Sequence, residues 1–436
     1  MSWPFAGRRY VRAPETARGS MMPASGENAI PPLRLAPRTA LVMLGVMGAT
    51  YAVNAMDRIV FAILLPNVNR EFGFSLEQGG FLATVFTLGI GLSGIPAGYL
   101  LDRFSRMGVI LIGIAIYSVL TILSAFSVGF YDMALYRILS GVGEGLQNAA
   151  LFTAVGAYFA SNRAAALGSM NFAYGIGSFI GPSLAAYILV WTNDWRAPLI
   201  TYGVLGLIVM VVARLTVTST FTEQRHETVT LAAPHAFDHI PPSVFNRNVV
   251  VCALSAIVLG VSGYGFLGLY PTFLRTELGF TVQQAGFAAS LFGVGALFGI
   301  PAGYVADRLS QRWIAIIATL IMLTTSYLLF NVARSAPAQD ALALLFGAVG
   351  SGVVFVNTYS LIQRCVRPES IGRASGIMVT CLYLPASLAG YLFAVLRNQL
   401  GWGDAALLQL CAVPLIAIIG MMFLDTGAIR RPMSAA

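Results

Sequence analysis

Long apolar runs, separated by short polar gaps, repeat along the chain from residue 39 to residue 425. A helix needs about 20 mostly apolar residues to cross the hydrocarbon layer of a bilayer. Twelve runs meet that length and are predicted helices, near 39–65, 78–101, 107–129, 133–159, 165–190, 197–217, 248–273, 282–305, 313–333, 340–363, 371–396 and 405–425. Several contain Gly or Pro, which membrane helices tolerate where neighbouring helices satisfy the freed backbone groups. No segment alternates apolar and polar residues in twos, so a membrane β-barrel is excluded. The predicted fold class is an all-α membrane protein with twelve transmembrane helices. Composition agrees: 57% of residues are hydrophobic and 10% charged, against about 25% charged in soluble domains.

Charge then orients the chain. All 26 basic residues are arginine and the net charge is +8. They are spread thinly between apolar runs instead of clustering on a soluble face, which excludes nucleic acid as the partner. Nineteen lie in the two tails and the loops on the same side as the tails, and five (Arg70, Arg196, Arg275, Arg334, Arg397) lie on the opposite side. Positive loops stay cytoplasmic, so both termini are expected inside and the chain is expected to be a multi-pass protein of the inner membrane. Residues 1–38 are polar and Pro/Ser-rich, with no apolar core of a signal peptide, and read as a disordered cytoplasmic tail. An Arg-rich organelle transit peptide is the alternative. The longest internal break, 218–247, divides the helices into halves at 39–217 and 248–425, with a second cytoplasmic tail at 426–436. That break holds His226, His235 and His239, but Pro234, Pro241 and Pro242 favour loop over a metal-binding helix. The four cysteines fall within or at the ends of apolar runs without metal-ligand spacing, as small buried residues do. No metal and no cofactor is expected.

The halves repeat each other. GIPAGYLLDRFSR at 94–106 matches GIPAGYVADRLSQ at 299–311, and EFGFSLEQGGFLATVF at 71–86 matches ELGFTVQQAGFAASLF at 277–292. Trp195 similarly answers Trp402. Residues that the fold requires tend to survive in both copies, whereas residues serving one chemistry need only one. Gly98, Asp102, Arg103 and Arg106 recur as Gly303, Asp307 and Arg308 with Arg312. These charges either end helices and fix topology or form a cytoplasmic gate that latches the halves. The charges within the membrane behave differently: Asp57 and Arg58 fall opposite Ser262 and Gly263, and Arg137 and Glu144 opposite Leu344 and Ser351. Such a charge at the bilayer centre costs about 2.5–3.5 kcal/mol even on the lenient insertion scale. At 100° per residue, Arg137, Gly141, Glu144 and Asn148 fall within an arc of about 60°, and Asn54 lies angularly between Asp57 and Arg58. Three roles are open: ion pairs tying two helices together, a snorkelling Arg58, or a site where carboxylates take protons and arginines hold an anion. A carboxyl exposed alternately to two faces, with its Arg partner bound or free, changes its proton affinity during a cycle. The second half offers Tyr264, Tyr270, Asn357, Tyr359 and Tyr383 as candidate lining, and the fifth helix offers Tyr174.

Over residues 39–425 the chain resembles the major facilitator superfamily. Its loop motif matches at Gly98, Asp102, Arg103 and Arg106, and Arg137 with Gly141-x-Gly143-Glu144-Gly145 is similar to its fourth-helix motif. NAMDR at 54–58 together with Arg137 and GVGEG resembles the organic anion:cation symporters and spinster-like transporters. That resemblance implies proton coupling at Asp57 and Glu144, and anion contact at Arg58 and Arg137, with alternating access around a site near the midplane. The absence of Lys or Arg within the second half's helices argues against a two-arginine clamp for phosphate esters. Gly177-x3-Gly181-Pro182 is similar to a drug antiporter motif, but Ala185 and Ala186 stand where that family ends in a glycine pair. The expected function is a proton-coupled secondary transporter of a small organic anion, a carboxylate above all, working as a monomer in the lipid bilayer. A proton-driven exporter of lipophilic drugs or lipids, a neutral-solute (sugar) symporter and a non-transporting membrane sensor are the alternatives. Sodium could replace the proton. No P-loop, nucleophile or metal cluster points to an enzyme.

Overall fold

The computed structural model describes residues 35–159, 163–223, 239–298, 310–367 and 370–429. Its helices follow the predicted apolar runs. In the first half α1 is Pro37–Phe72, α2 is Leu76–Thr84 continued by Phe86–Arg103, α3 is Arg106–Ala125, α4 is Phe130–Tyr158, α5 is Arg163–Thr192 and α6 is Arg196–Thr216. In the second, α7 is Arg247–Thr276 and α8 is Val282–Ala296 as far as it is described. Helix α9 is Gln311–Tyr327 ending in a π turn, Leu328–Val332, and α10 is Ala336–Gly347, a π turn over Ala348–Phe355, then Val356–Arg364. Helix α11 is Ile371–Ala386 resumed by Ala389–Ala406, within which Gly401 (φ 85°) reverses the chain. From that reversal α12 continues through a π turn, Leu407–Ala412, and Val413–Met422.

Among the described residues, eight helices are long and apolar enough by themselves to cross a membrane. One of the eight, Arg373–Met422, is α11 and α12 taken together across Gly401. The other crossings are α2, broken at Val85, α4, which carries Asp132, Arg137 and Glu144, and α8. Together these make twelve.

What recurs in both halves is local geometry. Ser75 and Gln78 form a capping box at the start of α2, and Thr281 and Gln284 form the same box at the start of α8. Each box satisfies two backbone donors that a helix start would leave orphaned. Just before them, Gly73 (φ 67°) and Gly279 (φ 69°) both take the left-handed conformation that ends the preceding helix. The SLEQ/TVQQ repeat is therefore a conserved turn between neighbouring helices, written twice.

Helices α2 and α4 touch backbone to backbone. A Cβ on Gly141 would overlap the Phe86 carbonyl oxygen, and one on Gly89 would overlap that of Ile138. Small residues permit this approach, which is how membrane helices associate when hydrophobicity gives no drive. After α6 the chain turns back on the first half. The Glu223 carboxylate accepts hydrogen bonds from the backbone N–H groups of Arg106 (3.2 Å) and Met107 (3.1 Å), capping α3. An anion there suits the positive end of the helix dipole.

The halves meet along α2–α11 and α5–α8. Contacts close the end remote from Leu35 and Ile429, the first and last described residues, called here the far end. The Thr84 hydroxyl donates to the Ser387 carbonyl (3.0 Å) and accepts from the Gly390 N–H (3.3 Å), while Gly80 and Gly390 pass with no room for a side chain. Arg275 of α7 donates to Asn67 Oδ1 (2.8 Å) and to the Ile63 carbonyl (3.2 Å) of α1. Ser183 and Ser290 hydroxyls pair at 2.8 Å, and Glu77 accepts from Asn398.

Candidate functional site

Asp57, Arg58, Arg137 and Glu144 are the charged residues buried among those described. Helix α1 supplies the first two and α4 the others. The close α2–α4 packing sets the depth of the α4 pair, because Gly141 lies between Arg137 and Glu144 on the same stripe. Arg58 Nε lies 2.7 Å from Glu144 Oε2, with both side chains essentially removed from solvent. Asp57 Oδ1 accepts from the Thr121 hydroxyl of α3 at 2.7 Å, and its Oδ2 has no hydrogen-bond partner. Asn54 Nδ2 donates to Gln147 Oε1 at 2.8 Å. The polar faces read from helices one and four therefore meet.

Arg137 is the unusual member. It is fully buried, and its Nε, Nη1 and Nη2 have no hydrogen-bond acceptor. Instead its guanidinium lies 5.1 Å from the ring centroids of both Phe61 and Phe86. Cation–π contacts strengthen when desolvated, and Asp57 and Glu144 balance its charge through space. The four charges sum to zero.

A small cavity opens beside Arg58. Its walls are Arg58, Ile59 and Ala62 of α1, Ala83, Thr84 and Phe86 of α2, Tyr174 of α5, and Tyr264, Leu267 and Gly268 of α7. Both halves contribute, near the middle of the helices. The space left between these side chains holds about one water molecule, so the walls are drawn in around the arginine. Aromatic rings extend them: Tyr51 is 5.4 Å from Tyr174, and Tyr383 is 5.9 Å from Tyr264.

Of the candidate residues, Arg58, Tyr174 and Tyr264 line this cavity, with Tyr383 beside Tyr264. Asp57, Glu144 and Asn54 lie behind it in the charge network. Arg137 is separated from it by Phe86. Asn148 is half-buried with an unpartnered Oδ1. Tyr270 is not brought to the cavity: its hydroxyl donates to Gln339 Oε1 (3.0 Å) and its ring stacks on Phe266 (4.5 Å) inside the second half. Asn357 donates to the Gln311 carbonyl (3.2 Å) of α9, and Tyr359 packs 5.9 Å from Phe355. Gly98 and Asp102 lie in the last turns of α2 with their side chains outside the description, Arg103 is exposed over the Tyr99 ring, and Asp307 and Arg308 lie outside the described residues. So do His226 and His235; among the described residues no group of three or more His, Cys, Asp or Glu stands together. The cysteines are free, three of them buried and Cys381 half-buried.

Thr121, Gln147, Phe61 and Phe86 belong to the network and carry no charge to betray them. Gln147, three residues after Glu144, was within reach of the same periodicity argument. Thr121 and the two phenylalanines were not, because hydroxyls and rings are common on any membrane helix.

The profile of the Major Facilitator Superfamily matches residues 47–390. Among curated proteins the chain is similar to the D-galactonate transporter of Escherichia coli O6:H1, at 24% identity over 88% of this chain and 94% of that one. It is also similar to the cis,cis-muconate transport protein of Acinetobacter baylyi, at 25% identity over 60% of this chain and 65% of that one. Among solved structures, a bacterial homologue of the human lysosomal transporter spinster, captured inward-facing, superposes with a TM-score of 0.72 at 16% identity, over 90% of this chain and 98% of that one. A family match across most of the chain, with the repeat and the twelve helices described above, leads to one conclusion: this protein belongs to the Major Facilitator Superfamily and is a multi-pass membrane transporter, not an enzyme.

Proposed function

We propose that the protein is a proton-coupled symporter that carries a small organic anion across the inner membrane, with both termini cytoplasmic and the far end periplasmic. The observation that carries this reading is the buried Arg58–Glu144 pair at the cavity wall. Removing one partner of a buried ion pair costs about 3–5 kcal/mol, because the other charge is left unpaired. A proton on Glu144 does that to Arg58, and a carboxylate entering the cavity restores the balance. The proton and the anion thus bind best together. The count agrees, since a site of net zero charge stays neutral only if one proton accompanies each anionic charge.

Asp57 serves as the second carboxylate. Held by Thr121 and facing Arg137 through space, it stays charged and compensates Arg137, so that a proton on Glu144 leaves one net positive charge for the anion. The far-end contacts at Thr84, Arg275 and Ser183 close the periplasmic side in this conformation. Parting them, while the opposite end closes, exposes Arg58 to the other face. Two of the relatives described above are, by name, transporters of galactonate and of muconate, both carboxylates.

The test is uptake into proteoliposomes under an imposed pH gradient, with a radiolabelled carboxylate. Wild-type protein accumulates the anion against its gradient. Glu144→Gln loses accumulation but still exchanges labelled for unlabelled anion. Wild-type accumulation by Glu144→Gln, or uptake indifferent to substrate charge, overturns the reading.

A further inference from the structure

The next step rests on the reading of Arg58 as the anion site and narrows what the anion is. We infer that the transported solute is a planar aromatic or conjugated monocarboxylate, with its carboxylate on Arg58 and its π face against Phe86, Tyr174 and Tyr264.

Three observations converge on this class. The first is the nature of the walls. Rings from α2, α5 and α7 enclose the space beside Arg58, so both halves present aromatic side chains to whatever binds there. The Arg58 guanidinium already lies 5.8 Å from the Tyr174 centroid, an arrangement in which a cation grips a carboxylate while a flat body lies along the rings. Aromatic groups prefer offset or edge-on neighbours at ring separations of about 4.5–7 Å. The Tyr264–Phe86 and Tyr264–Tyr383 separations of 6.2 Å and 5.9 Å are of that kind.

The second is what the walls lack. Apart from Arg58 and the tyrosines, Thr84 is the hydrogen-bonding side chain in the lining. Its hydroxyl is already committed to the Ser387 and Gly80 carbonyls and to the Gly390 N–H. The remaining walls are Ile59, Ala62, Ala83, Leu267 and Gly268. A polyhydroxylated acid would bring several hydroxyls out of water into this lining and leave most of them unpaired, which a buried site strongly disfavours.

The third concerns charge number. Arg137 is the other cation at this depth, and it is walled off between the Phe61 and Phe86 rings. A second carboxylate on the solute therefore meets rings where it needs a cation. Phe86 is the residue on which the selection turns, since one ring lines the cavity, covers Arg137 and faces Tyr264.

The experiment uses the full chain in proteoliposomes with an imposed proton gradient. The probes are benzoate and cinnamate as flat monocarboxylates, galactonate and gluconate as polyhydroxylated acids, and phthalate as a flat dicarboxylate. The expected result is a kcat/KM for benzoate or cinnamate at least tenfold above that for gluconate, galactonate or phthalate. Phe86→Leu should erase most of that preference by raising KM for the flat acids, and Phe86→Tyr should restore it. Tyr264→Leu gives an independent reading if Phe86→Leu does not fold. Galactonate or gluconate carried better than the flat acids, with uptake still lost in Arg58→Gln, overturns the solute class and leaves the anion symporter standing. Phthalate carried as well as benzoate overturns the single-charge part. Flux of none of the five acids, or flux unaffected by Arg58→Gln, overturns the anion reading itself and this inference with it.

Discussion

The two halves share one helical frame and fill its centre with opposite materials. Between α1 and α4 the first half places Arg58 against Glu144, and Asp57 and Arg137 complete a neutral set. Between α7 and α10, the corresponding helices of the second half, Phe266 and Phe346 pack with ring centroids 4.1 Å apart. Around them Tyr270, Phe292 and Phe330 continue an aromatic cluster. What the fold needs appears twice: the capping boxes, the left-handed glycines and the glycine-lined crossings. The charge network appears once, so the symmetry of the fold does not require it. The second half sets an apolar aromatic cluster in the corresponding place.

Exchanging the properties of the halves is the sharpest way to break this contrast. The largest effect is expected from Glu144→Gln, which should cut concentrative uptake by about 100-fold or more, the kinetic equivalent of leaving a buried cation unpaired. Phe346→Leu, at the equivalent contact of the second half, should leave concentrative uptake within about threefold and instead lower thermal stability by about 1 kcal/mol. Uptake and melting measured on the same preparations check both, and the contrast fails if Phe346→Leu is the more damaging to coupling.

A smaller effect comes from the crossing that fixes the α4 stripe. Gly141→Ala forces a methyl group into the Phe86 carbonyl and should cost about 1–3 kcal/mol by overpacking. Gly45→Ala, whose new methyl would meet nothing within 4 Å, is the matched control and should stay within about 0.5 kcal/mol. Thermal unfolding of the two variants in one detergent decides the point, and equal melting temperatures would sink it.

The smallest effect concerns the contact between halves. Thr84→Val keeps the shape of the side chain and removes its hydrogen bonds to Ser387 and Gly390. About 1 kcal/mol lost there shifts the balance toward far-end opening roughly fivefold. Spin labels at Glu77 and Asn398, which meet at that end, would report the change as a larger population of long distances. An unchanged distribution would mean that Thr84 does not hold the gate.

Much of this was legible in the sequence because membrane insertion leaves few ways to hide a helix or a charge. Twenty apolar residues must cross, so the twelve runs locate the helices, although α1 extends seven residues past its run and the end of α8 lies outside the described residues. A charge inside one of them must have a partner, so Asp57, Arg58 and Glu144 stood out before their geometry was known. The cost of burial also identified Arg137, but not its surroundings: pattern alone says nothing about which rings will flank a guanidinium. The break of α2 at Val85 was equally silent, since neither proline nor glycine sits there. Tyr270 looked like a cavity residue because a tyrosine on an apolar helix suggests a polar lining. Its hydroxyl was in fact claimed by Gln339, a glutamine on a helix 69 residues away in sequence. Contacts between helices distant in the chain decide such cases, and periodicity along one helix does not contain them.

Two π turns of the second half lie where the two copies differ in length. Gly98 and Gly303 are 205 positions apart, whereas Trp195 and Trp402 are 207 apart, so the second copy is two residues longer between those landmarks. Two π turns, Leu328–Val332 and Ala348–Phe355, lie in that interval. A π turn is what an α-helix becomes when it absorbs a single inserted residue without losing its path. A bulged turn thus offers a longer copy a way to carry extra residues inside a helix that keeps its path.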